Sequence, residues 1–123
     1  MPSGFFGGID MITKEDAIMF SFLKWQKLAN LVRKYRHSAL THKDKIDYIK
    51  VKLLAAYPFL GELRGYCGLC ERFKETQCKF CYFRSQNNNY SCNRLHTQFW
   101  ERLTEYSARQ ILNTVRKIAE VNL

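Results

Sequence analysis

All five cysteines of the 123-residue chain lie between positions 67 and 92. Cys67 and Cys70 form one Cys-x-x-Cys pair, and Cys78 and Cys81 form a second. Seven residues separate the two pairs. Each pair makes a tight turn that presents two thiolates to one point, and zinc accepts four thiolates in a closed tetrahedral site. The spacing therefore predicts one structural zinc ion held by Cys67, Cys70, Cys78 and Cys81. Such a site requires the chain to reverse direction between the two pairs.

Cys92 and His96 are additional candidate ligands for the same ion. They are four positions apart at the start of a predicted helix, so both side chains can lie on one face of it. Iron uses the same thiolate ligands and is the weaker alternative. An odd cysteine count and a Gly-rich start without a secretory signal pattern favour metal over disulfides, so we expect a cytoplasmic protein.

Composition predicts one folded domain. Hydrophobic residues make up 46% of the chain and there are only two prolines, which argues against disorder. No apolar run approaches the roughly 18 residues of a membrane span, so we expect no membrane partner. We expect residues 1–123 to form a single domain with four parts: a flexible or tag-like start (1–12), a helical pair (13–57), a zinc-knuckle segment (62–92) and a C-terminal helix (93–121).

Apolar residues recur at helical spacing on both sides of the cysteines. Thr13 and Thr41 are predicted N-caps, because each precedes an acidic residue three positions on. The helix after Thr13 extends to about Tyr35, and the helix after Thr41 ends before Pro58. The pattern predicts a mainly α fold with three helices, two N-terminal and one long C-terminal, and the zinc-knuckle insert between the second and third.

Basic residues suggest an anionic partner. The formal net charge is +9, and basic residues outnumber acidic ones seven to two between positions 33 and 52. These cations fit a surface for nucleic acid or an acidic protein, although a solvated helical face is the alternative. The candidate surface comprises Arg33, Lys34, Arg36, Lys43, Lys45, Lys50 and Lys52, with Lys79, Tyr82, Arg84 and Tyr90 of the cysteine segment.

The pattern of two Cys-x-x-Cys pairs, a further cysteine (Cys92) and then Trp100 resembles small cysteine-cluster proteins of tailed bacteriophages. The resemblance covers about residues 64–101, and Tyr82 stands where those proteins usually carry proline. It implies an accessory protein that acts in the cytoplasm of a bacterial host.

The chain has no paired carboxylates and no Gly-rich phosphate loop, so we expect no enzyme. The patterns support two other functions. The first hypothesis is a protein that binds and inhibits or redirects a host complex handling nucleic acid, such as a defence or transcription complex, with exposed aromatic residues as anchors. The alternative is a zinc-knuckle module that binds DNA or RNA directly. A homodimer is left open.

Overall fold

A computed structural model describes residues 12–63 and 92–123, and these residues form four α-helices. They are α1 (Lys14–Tyr35), α2 (His42–Ala56), α3 (Cys92–Arg102) and α4 (Glu105–Asn122), with a 3-10 turn (Pro58–Glu62) after α2. The described ranges contain no strand, so the mainly α class is confirmed for them. The predicted zinc-knuckle insert and the predicted flexible start lie almost wholly outside them.

Threonine caps begin the first two helices, as predicted. The Thr13 hydroxyl accepts a hydrogen bond from the backbone N–H of Asp16 at 3.1 Å. The Thr41 hydroxyl accepts one from the N–H of Asp44 at 3.2 Å. Each cap satisfies a backbone donor that has no partner within its helix, so short-range sequence determines where these helices start.

Helices α1 and α4 pack against each other in antiparallel orientation. Arg33, near the end of α1, approaches Glu105 at the start of α4, whereas Phe22 lies beside Arg116 near the other end of α4. Apolar side chains from both helices fill the interface. The largest fully buried side chains of the core are Trp25, Phe99, Leu28, Ile49, Leu53, Leu60, Ile111, Leu112, Ile118 and Val32.

Helix α2 covers one side of this pair with a narrow apolar face. Ile49 and Leu53 are buried, while Ile46, Leu54 and Tyr57 are partly buried against the core. Most neighbouring members of this face are three or four positions apart, which is the helical spacing of apolar residues that the sequence shows. Because so few α2 side chains are buried, most of the helix surface faces solvent and its polar residues are accessible.

The single long C-terminal helix predicted for residues 93–121 is wrong. The structure has two helices there, α3 and α4, separated at Leu103 and Thr104. The Thr104 hydroxyl accepts from the N–H of Ser107 at 3.1 Å, and the Ser107 hydroxyl donates to the Thr104 carbonyl at 2.9 Å. These bonds begin a new helix at Thr104, so the described chain has four α-helices rather than three.

Leu103 adopts a left-handed backbone conformation, with φ of 47°. This conformation costs a non-glycine residue about 1–2 kcal/mol. The Leu103 side chain is only 9% exposed and belongs to the core, so its burial offsets that cost. Tyr106, in the first turn of α4, is 71% exposed.

Among the described helices, none is both long and apolar enough to cross a membrane.

Candidate functional site

A cavity of 610 Å³ lies where the end of α1, the start of α2 and the junction of α3 with α4 meet. Apolar side chains contribute part of its lining: Val32, Ile49 and Leu103. The same lining contains five basic side chains and a single acidic one, Glu105. The cavity is therefore cationic. Its basic residues are Arg36, His42, Lys45, Arg102 and Arg109.

The end of α1 binds one of these cations, Lys45. The Lys45 ammonium donates to the backbone carbonyl of Arg36 at 3.5 Å. Carbonyls at the end of α1 have no partner within the helix, and a lysine is a favourable partner there. This contact keeps the Lys45 ammonium at the end of α1, and Lys45 and Arg36 both line the cavity.

His42 connects α2 to the end of α3. Its Nε2 lies 2.9 Å from the carbonyl oxygen of Trp100. Because a carbonyl only accepts, Nε2 carries the proton and donates. Lys50, also on α2, places its ammonium 5.2 Å from the centre of the Trp100 ring. These two contacts join α2 to α3 next to the cavity, which His42 lines.

Glu105 is the anion of the cavity. Its carboxylate accepts from Nε of Arg109 at 2.7 Å and lies 3.9 Å from a guanidinium nitrogen of Arg33. The hydrogen bond from Arg109 lowers the pKa of Glu105, and the positive charges of Arg109, Arg33 and Arg36 lower it further against an opposing effect of desolvation. The carboxylate is therefore ionised at neutral pH.

The structure divides the basic residues that the sequence groups together. Arg36 and Lys45 line the cavity, and Arg33 reaches its edge through Glu105. The other predicted cations lie outside the lining: Lys34 lies over the ring of Tyr35, Lys52 over Tyr48 and Lys50 over Trp100, while Lys43 is exposed.

Sequence reasoning missed four side chains of the site, His42, Arg102, Glu105 and Arg109. The spacing of Glu105 and Arg109, four apart, indicates an ion pair on one helix face. Nothing local indicates that this pair faces the end of α1, because that depends on the break at Leu103.

The four cysteines of the predicted metal site lie in the part of the sequence between α2 and α3. Cys67, Cys70, Cys78 and Cys81 lie outside the described residues, so zinc stays a prediction. The four residues of the cysteine segment assigned to the binding surface, Lys79, Tyr82, Arg84 and Tyr90, also lie outside them.

The two additional candidate ligands lie on α3. Cys92 is its first residue, and the His96 ring stacks on Trp25 with centroids 4.8 Å apart and an interplanar angle of 25°. Among the side chains that the structure describes (residues 12–63 and 95–123), no three of His, Cys, Asp or Glu group as metal ligands would.

Comparison of the chain with protein-family models, curated proteins and solved structures finds no match. The function is therefore inferred from the charge and shape of the cavity.

Proposed function

We propose that the protein binds nucleic acid through the cationic cavity and catalyses no reaction. The observation that supports this is the lining itself, in which five basic side chains from all four helices or their junctions face one acid. A nucleic-acid backbone offers a regular series of phosphates that such a surface neutralises with release of counterions.

The types of cation in the cavity suit phosphate. Arg36, Arg102 and Arg109 carry planar guanidinium groups, which bind phosphate oxygens with two parallel hydrogen bonds. The first turns of α2 and α4 border the cavity, but so do the last turns of α1 and α3, so the helix dipoles largely cancel there. The side-chain cations are what raise the affinity for a phosphate over that for an uncharged ligand.

Glu105 also fits this proposal. Its carboxylate occupies Arg109 and keeps the guanidinium oriented in the absence of ligand. A phosphate entering the cavity competes with this carboxylate for Arg109. Binding then exchanges one charge-assisted hydrogen bond for another, which makes the affinity moderate and sensitive to salt.

Fluorescence anisotropy with a labelled oligonucleotide tests the proposal. We expect affinity to fall between about 50 and 200 mM salt with a log–log slope of roughly 0.7–0.9 per phosphate neutralised. The double variant Arg36→Ala/Lys45→Ala should bind more weakly and with a shallower slope.

Arg116→Ala/Lys117→Ala is the matched control, because both residues are exposed and Arg116 lies about 17 Å along α4 from Glu105. It removes the same two residue types and should change affinity much less. Absence of binding at low salt, or an equal loss in both double variants, would refute the proposal.

A second candidate function is binding of a host protein complex that handles nucleic acid, by a phage-type accessory protein stiffened by one zinc ion. The observation that favours it is the exposed surface of α2, where Tyr48 is 42% and Val51 is 64% exposed. Exposed tyrosine is a frequent anchor at protein interfaces. This function places the protein in the cytoplasm of the host.

Affinity capture from a bacterial lysate after nuclease treatment separates the two candidates. A protein retained by the wild type and lost by Tyr48→Ala/Val51→Ala favours the second function. Recovery of nucleic acid alone, from lysate without nuclease, favours the first.

A further inference from the structure

Exposed tyrosine rings lie next to the cationic cavity and come from different helices. Tyr106 of α4 lines the cavity and is 71% exposed. Tyr35 of α1 also lines it, and its ring contacts that of Tyr48 on α2, with centroids 5.0 Å apart. Tyr48 is itself 42% exposed, so the aromatic surface continues from the lining out onto α2.

A side chain of the same helix contacts each of these rings. The ammonium of Lys52 lies 5.3 Å from the Tyr48 ring centre, and that of Lys34 lies 5.5 Å from the Tyr35 ring centre. The Tyr106 hydroxyl accepts from the side-chain amide of Gln110 at 3.3 Å. Each exposed ring is thereby oriented by a residue of its own helix before any ligand arrives.

We infer that the nucleic acid bound here is single-stranded, with Tyr48 and Tyr106 stacking on unpaired bases. This inference rests on the proposed function and specifies its substrate class. Aromatic rings that alternate with cations are typical of single-strand binding surfaces, since every base has a face that can stack. The bases of a duplex stack on one another and leave the tyrosine rings without a partner.

The dimensions of the cavity agree with an unpaired strand. It is open on one side, and its volume of about 610 Å³ falls within the range of about 300–1,000 Å³ found for clefts and cavities that bind one small ligand. A nucleotide unit of a flexible strand can enter a cavity of this size and place its phosphate among Arg36, Lys45 and Arg102. A duplex is stiff and presents its phosphates to an open surface instead.

The test uses one labelled oligonucleotide, free and annealed to its complement, with the full chain. The wild type should bind the single strand more tightly than the duplex. Tyr48→Ala and Tyr106→Ala should each weaken single-strand binding by about five- to 150-fold, the range for loss of one stacking ring, and leave duplex binding unchanged.

Two further variants make the test specific to the rings. Tyr48→Phe and Tyr106→Phe remove only the hydroxyl group and keep the stacking face. Both variants should therefore retain single-strand affinity within about twofold of the wild type. Val51→Ala, at a 64% exposed position of α2, removes apolar area without removing a ring and serves as the control.

The outcomes distinguish failure of the single-strand inference from failure of the proposed nucleic-acid binding. Equal affinity for strand and duplex, with no effect of either Tyr→Ala variant, would overturn the single-strand inference and leave the proposed function standing. Absence of binding to both probes at low salt would overturn the proposed function itself.

Discussion

Nε2 of His42 lies 2.9 Å from the carbonyl oxygen of Trp100, and this hydrogen bond joins the first residue of α2 to the last turn of α3. The two residues are 58 positions apart in the chain. The last carbonyls of a helix have no partner within it, so the imidazole satisfies one of them. The bond also connects α2 to α3 beside the cationic cavity, which His42 lines.

His42→Ala should lower the free energy of unfolding by about 0.5–1.5 kcal/mol, the usual net value of one hydrogen bond. Urea denaturation followed by circular dichroism measures the change. His37→Ala removes an exposed histidine beyond the end of α1 and is the control. Equal stability of the two variants would contradict a stabilising role for the contact with Trp100.

Thr104→Ala should destabilise the protein by about 0.5–2 kcal/mol, because it removes the side-chain oxygen that caps α4. Thr104→Ser keeps that oxygen and should remain close to wild type. Denaturant titration of both variants makes the comparison. If the alanine variant is as stable as the serine variant, the helix does not depend on a cap at Thr104.

Glu105→Gln should change how stability depends on pH. The hydrogen bond from Arg109 holds the pKa of Glu105 below the usual range of a glutamate, so the folded state favours the ionised carboxylate. The stabilisation by ionised Glu105 is therefore present above the pKa of the unfolded state and is lost as pH falls through the lower pKa of the folded state.

The melting temperatures of wild type and Glu105→Gln, followed from pH 7 downward, check this. The wild type should be the more stable at neutral pH, and the difference should shrink as pH falls below the range of an ordinary glutamate. Glu120→Gln, near the exposed end of α4, is the control. A difference that is constant with pH would show that ionisation of Glu105 does not contribute.

Cys70→Ser and Cys81→Ser should each abolish stoichiometric zinc and loosen the fold, because metal binding and folding of such a site are coupled. Native mass spectrometry gives the metal, its stoichiometry and the oligomer size in one measurement. Cys92→Ser distinguishes a ligand from a spare thiol. Zinc content equal to wild type in the Cys70 and Cys81 variants would rule out the four-thiolate site.

Helix starts were predictable because their signals are local. Thr13 and Thr41 each bond a backbone N–H three residues on, and the sequence shows both partners side by side. The end of α3 was not predictable in the same way. Leu103 is neither glycine nor proline, and it continues the apolar period of its neighbours, so only Thr104 and Ser107 hint at a new helix.

Sequence by itself determined the positive charge, the paired cysteines, the apolar faces and the caps of α1 and α2, since each depends on residues a few positions apart. Tertiary structure decided which cations act together. Lys34, Lys50 and Lys52 lie over aromatic rings, whereas Arg102 and Arg109 join Arg36 at one cavity. The physical reason is the left-handed turn at Leu103, whose cost is offset only when the assembled core buries its side chain.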